Sequence, residues 1–276
     1  MNTKSAAFDA KFWDARNAAA STFLPAQPAA ANGEDIEAAV AAMLAKITPA
    51  TAAQVADHRE KTRVQPWLRE CGFRAEHLAP LPAPSDQRGR EQAAALAKVR
   101  ARLALHPNAI IALVGPRGTG KTQMAAEIAR DYIGRSLASE DALRDWQPDS
   151  GTPRPCVFTF DLVYRKASSL FIALKEAFGA GGTINAKQLL IDIETLAKVD
   201  FLAIDELQEP PENFLRILTD LVDRRYTERR ATLLLSNHYD AEDRGLFSRA
   251  IGDSIASRMG QYGGIIECAW PSFRRA

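Results

Sequence analysis

Residues 115–122 read Gly-Pro-Arg-Gly-Thr-Gly-Lys-Thr, a Gly-x-x-x-x-Gly-Lys-Thr loop suited to the phosphates of a nucleotide. Gly115, Gly118 and Gly120 permit a tight path that turns backbone amides toward phosphate oxygens, with Pro116, Arg117 and Thr119 completing the cradle. A helix starting here adds its positive N-terminal end. Lys121 is placed to reach the β- and γ-phosphates, and the Thr122 hydroxyl to ligate magnesium. ATP and Mg2+ are the expected ligands.

Two further groups lie where such chemistry needs them. The apolar run Phe201–Ile204 delivers Asp205, 84 residues beyond Lys121, and then Glu206. Asp205 would enter the magnesium shell, and Glu206 would orient or deprotonate the attacking water. The run Leu233-Leu234-Leu235-Ser236 then ends in Asn237, 32 residues beyond Asp205. A neutral amide there can hold the water or contact the γ-phosphate; an Asx turn is its alternative role. His238 has no evident catalytic partner and reads as structural.

Elements must bring these residues together. Strand signals fall at 110–114, 156–160, 200–204, 231–236 and near 264–268, with helical patterns at 121–133, 162–178 and 212–226. This alternation predicts an α/β fold with a parallel sheet covered by helices. Residues 139–155, with Trp146, Pro148, Gly151, Pro153 and Pro155, read as an extended connection.

The front of the chain is helical by pattern. Phe8, Phe12, Ala15, Ala19 and Phe23 form one weak stripe; Asn32 could cap a helix carrying Ile36, Val40, Met43 and Ile47. Thr51 and Gln54 offer a capping box, Pro66 to Glu70 a further turn, and Ser85 to Pro107 another helix. Prolines 80, 82 and 84 mark a linker, which divides the chain into a helical partner-binding region, 1–84, and a nucleotide-binding domain, 85–276.

Of 276 residues, 46% are hydrophobic and 25% charged, enough for a sizeable core. A net charge of +1 excludes global electrostatic steering toward nucleic acid, so any such surface must be local. Cys71, Cys156 and Cys268 lie far apart and in no metal-ligand spacing, as expected of core thiols in a reduced, cytoplasmic protein. Neither a signal core nor an apolar run of membrane-spanning length is evident, so no membrane association is expected.

Taken in order, the motifs resemble those of AAA+ ATPases of the DnaC/IstB-like group, which holds helicase loaders and transposition ATPases. Gly115–Thr122 matches Walker A, Phe201–Glu206 Walker B, and Ser236-Asn237 sensor 1. Arg224-Arg225-Tyr226 is similar to the group's Arg-Tyr segment, Ser254–Met259 to its final arginine motif, and Trp270-Pro271-Ser272-Phe273-Arg274 to the ending common in the loaders. The resemblance covers roughly residues 90–275. It implies a five-stranded sheet of order 5-1-4-3-2 and self-association with nucleotide at subunit interfaces. By the same resemblance Arg258 is the arginine finger, with Arg249 its rival, and Arg274 the sensor 2 arginine.

Single-stranded DNA would meet Arg165 and Lys166, early in the 162–178 helix, with Lys175 and Lys187 further along; solvated helix faces are the alternative. Arg224, Arg225, Arg229 and Arg230 form a second basic cluster, interrupted by Glu228, for which a neighbouring subunit is the alternative partner. The resemblance favours an ATP-controlled loader that carries a replicative helicase onto single-stranded DNA, with residues 1–84 as the helicase contact. A transposition helper binding duplex DNA and a transposase is the alternative, as is a nucleotide-switched adaptor with slow hydrolysis. The front region matches neither subgroup, and no cysteine cluster there forms a zinc site.

Overall fold

The computed structural model describes residues 52–81, 84–145, 157, 159–177, 183–243 and 245–274. The stripes expected before Pro49, the Thr51 cap, Lys187's side chain and Cys156 lie outside the described residues. From Ala56 onward the chain forms one compact unit.

Its spine is five short parallel strands: β1 (Ile110–Val114), β2 (Leu162–Lys166), β3 (Phe201–Asp205), β4 (Ala231–Ser236) and β5 (Gly264–Glu267). They lie in the order β2-β3-β4-β1-β5, the order 5-1-4-3-2 that the resemblance implies. Register pairs Val114 with Ser236 and Lys166 with Asp205, which aligns the ends that carry the site. β1, β3 and β4 are buried throughout, and their unbroken apolar runs are what a sheet covered on both faces requires.

Period-two alternation splits each strand between two cores. Ile111, Leu113, Phe201, Ala203, Leu233 and Leu235 enter the first, beneath α3 (Gln87–Leu105) and α4 (Lys121–Asp145). Ile110, Ala112, Val114, Leu202, Ile204 and Leu234 enter the second. There they meet α5 (Ala167–Ala177), α6 (Thr183–Lys198), α7 (Glu212–Thr227), α8 (Leu246–Ile251) and α9 (Asp253–Tyr262). Asp86 caps α3 by accepting from Gly89 N at 2.8 Å.

The first core also takes side chains from upstream of the phosphate-loop strand. α1 (Ala52–Arg59) and α2 (Gln65–Glu70) join through a π-type turn, Glu60–Val64, in which Gln65 N donates to Glu60 O. Pro66 has no N–H to donate four residues back, so the helix passes it at the start of α2. Val64, Leu68, Cys71, Phe73 and Leu78 then pack with the sheet. Burial pushes the Cys71 and Cys268 thiols up to about 12.

Three expectations are corrected. β2 lies at 162–166, not 156–160: the apolar run draws the strand reading upstream, but register with β3 starts at Leu162 opposite Phe201. β2 is an edge strand and so tolerates Arg165 and Lys166, which therefore stand on a strand and not early in a helix. The helix after the phosphate loop continues to Asp145, replacing the first part of the extended connection. Ion pairs Arg59–Asp141 at 2.9 Å and Arg63–Glu140 at 2.5 Å hold its last turns to α1 and the π-type turn. α6 was not anticipated.

Candidate functional site

The five strands present their C-terminal ends along one edge, where ligands of open α/β sheets collect. A cleft of about 840 Å³ opens there, lined by Lys121, Thr122, Asp205, Glu206, Asn237 and Arg274 among others. Residues separated by more than 150 positions in sequence thus meet in one place.

Gly115 admits a close approach: a Cβ there would stand 2.3 Å from the carbonyl oxygen of Cys268. Gly118 has φ +83°, which L side chains rarely adopt, and a Cβ would also meet Ser272. Lys121 is 5% exposed, and its ammonium donates to the carbonyls of Gly115 and Pro116, both at 2.8 Å. Burial lowers its pKa, while Asp205 acts in the opposite sense.

Asp205 is the junction of the site. Its Oδ2 accepts from the Thr122 hydroxyl at 2.6 Å and from the Tyr164 hydroxyl at 2.8 Å, and its Oδ1 from Glu206 N at 2.6 Å. Burial and the neighbouring carboxylate raise the Tyr164 pKa, so that phenol stays a donor. Thr122 and Asp205 offer a magnesium ion two hard oxygen ligands. That fits a cation that keeps several waters and takes its remaining oxygens from phosphates. Among the described residues no group of three or more His, Cys, Asp or Glu is placed to hold a metal.

Glu206 follows the strand with φ +56°, an uncommon left-handed backbone for a non-glycine residue. Its carboxylate accepts from Lys166 Nζ at 2.6 Å and is partly exposed. Asn237 faces the same cleft; the preceding Ser236 accepts from His238 N at 2.9 Å and donates to the Leu207 carbonyl. Asn237 is therefore presented by an anchored strand end.

The remaining predicted residues divide. Arg274 lines the cleft with its own chain's phosphate loop. Arg258 does not: it pairs with Asp223, Nε to Oδ1 at 2.8 Å and Nη2 to Oδ2 at 2.9 Å, and also donates to Ser254. Arg249 is paired with Asp243. Lys166 lines the cleft, where it meets Glu206, and it stands on β2 and not on a helix. Arg165 is exposed and donates to the Tyr164 carbonyl at 3.0 Å; Lys175 is exposed on α5.

The second basic cluster is also corrected. Arg225 is fully buried and donates to Thr232 Oγ1 and to the carbonyls of Leu196, Val199 and Ala231. Burial pulls its pKa down to about 9, and the converging carbonyl dipoles offset part of that cost. Arg224 pairs with Asp220, and Arg230 with Asp200 and Glu228. What reads as a basic run contains one structural arginine and two paired ones, with Arg229 exposed beside them.

Sequence reasoning missed Tyr164 as a partner of Asp205, and His77 and Arg74 in the cleft wall. His77 Nδ1 accepts from Arg74 N at 3.2 Å, and its ring lies 5.5 Å from that of Tyr164. Only the register of β2 against β3 could have revealed Tyr164.

No family model matches the chain, and no curated protein matches it. Solved structures similar to it include DnaI, at 19% identity and TM-score 0.45, covering 71% of this chain and 94% of that one. A putative primosome component from Streptococcus pyogenes is similar at 15% identity and TM-score 0.44, covering 74% and 93%. AMPPCP-bound DnaA from Aquifex aeolicus is similar at 16% identity and TM-score 0.43, covering 69% and 48%. The chain spans about half the length of the bound DnaA structures it matches.

Proposed function

We propose that this chain is an AAA+ ATPase of the DnaC/IstB-like group, hydrolysing ATP to ADP and phosphate with Mg2+. The observation that carries the reading is the junction at Asp205. One carboxylate ties the Thr122 hydroxyl of the phosphate loop to the backbone of Glu206, so metal ligands and water-directing base meet at the end of β3. In this reading Lys121 holds the β- and γ-phosphates and the loop amides cradle them. Magnesium, when bound, neutralises charge on the transferring group. Glu206 takes the proton of the attacking water once released from Lys166, and Asn237 orients that water. Arg274 meets the nucleotide from its own chain, whereas Arg258 must exchange Asp223 for a neighbouring subunit's nucleotide to act as a finger.

The cellular role is a loader that places a replicative helicase on single-stranded DNA, with residues 1–84 contacting the helicase and self-association bringing subunits around each nucleotide. Arg165 and Lys175 are the exposed cations that would touch the DNA backbone, giving salt-dependent, sequence-independent affinity. Co-purification of the full chain with its host's replicative helicase, in ATP and in ADP, tests this role. Retention that disappears on deleting residues 1–55, which spares the compact unit from Ala56 onward, is the expected result. Absence of binding in both nucleotide states contradicts it.

A further inference from the structure

The outer side of the phosphate loop is held by donors that lie outside the nucleotide-binding motifs. Trp270 Nε1 donates to the Thr119 carbonyl at 2.9 Å, and Gln92 Nε2 reaches the same oxygen at 3.4 Å. Phe273 N donates to the Gly118 carbonyl at 2.9 Å. Trp270 is 4% exposed and Gln92 1%, so the two bonds to the buried Thr119 are made away from competing water.

The segment making them is itself anchored. Cys268 N donates to Val114 O at 2.7 Å, continuing the β1–β5 pairing, and Arg88 Nη1 donates to Ser272 O at 3.2 Å. The Arg88 guanidinium also lies 5.3 Å from the centre of the Phe273 ring. Residues 268–274 are thus tied to β1, which leads into the loop, and through Arg88 to α3, which also supplies Gln92.

A trans peptide unit points its carbonyl and its N–H in opposite directions. Fixing the carbonyls of Gly118 and Thr119 toward the C-terminal segment therefore directs the N–H groups of Thr119 and Gly120 away from it. We infer that Trp270–Arg274 is a positioning element that presets the phosphate-loop amides for a nucleoside di- or triphosphate. Because Arg274 of the same segment lines the cleft, phosphate binding and docking of the segment are coupled, each strengthening the other by the same factor. This inference rests on the nucleotide reading of the loop.

The full-length protein tests it with ADP as the probe. Trp270→Phe keeps an aromatic ring and removes the donor, and it should raise the Kd for ADP by about fivefold to tenfold, the value of one buried hydrogen bond. In the wild type, ADP should slow hydrogen exchange at the Phe273 amide, and in Trp270→Phe that protection should shrink. A Kd unchanged within about twofold, whatever the thermal stability of the variant, overturns the inference, as does wild-type exchange at Phe273 that ADP leaves unmoved. Should Trp270→Phe fail to fold, the wild-type exchange measurement decides. Failure of the wild type to bind ADP at all would instead contradict the nucleotide site itself.

Discussion

Asp205 shows how few groups a site of this kind needs once they are held. Its two oxygens engage the phosphate-loop hydroxyl, a protonated phenol and the next backbone amide, so Thr122 and Glu206 cannot drift apart. Lys121→Ala should therefore remove charge from an otherwise intact cradle and abolish tight ATP binding by equilibrium titration; affinity retained within about threefold would unseat the loop assignment. His77, whose ring lies tilted 5.5 Å from that of Tyr164, gives the site wall a pH dependence. Burial depresses its pKa below the ordinary 6.5, against the opposing influence of Glu76 and Asp205 and with help from Arg74 and Lys166. As pH falls through 6.5 the unfolded imidazole takes up a proton before the folded one, so stability present at neutral pH is lost on the acid side. Urea unfolding at pH 7.5 and 5.5 should show a larger loss for the wild type than for His77→Phe, and equal losses would remove His77 from this role.

At the level of elements, α7 and the sheet are joined by one buried cation. Arg225 reaches the end of α6, the Val199 carbonyl before β3 and the first residues of β4. Arg225→Met fills much of its volume but strands those carbonyls, and it should lower the free energy of unfolding by about 2–4 kcal/mol in urea titrations. A change below about 0.5 kcal/mol would mean the carbonyls find other partners. No local signal separates this arginine from Arg224 beside it, because burial is decided by the packing of α7 on the sheet. The phosphate loop, Asp205, Glu206 and Asn237 were legible because each ends an apolar run that could only be a buried strand. β2 was not: as an edge strand it mixes Leu162 and Tyr164 with two cations, and a stronger apolar run lies just upstream. The same misplacement hid Tyr164 and assigned Lys166 to a DNA-facing helix. The C-terminal segment was visible as a motif, but its bonds to Gly118 and Thr119 span more than 150 residues and have no local signature.

For the whole molecule, the two candidate fingers are engaged within their own chain, Arg258 with Asp223 and Arg249 with Asp243. If Arg258 acts across an interface, mixing Arg258→Ala subunits with Glu206→Gln subunits should restore part of the hydrolysis that each lacks alone. Mixed assemblies that form without recovering activity would leave Arg258 as a local brace between α7 and α9. Arg165 and Lys175 carry the proposed DNA contact, so their joint replacement by Gln should weaken single-stranded DNA binding and flatten its salt dependence, read by anisotropy across a salt series. The proposed ATPase activity rests on one property, that Asp205 and Glu206 form a working hydrolytic centre with the phosphate loop. Phosphate release from ATP and Mg2+, measured beside ATP affinity for wild type and Glu206→Gln, tests it most directly. Wild-type turnover, with the variant binding ATP within about threefold but releasing phosphate at least about a hundredfold more slowly, is the predicted result. Undiminished hydrolysis by Glu206→Gln, or no hydrolysis by wild-type assemblies that bind ATP and Mg2+, would contradict it.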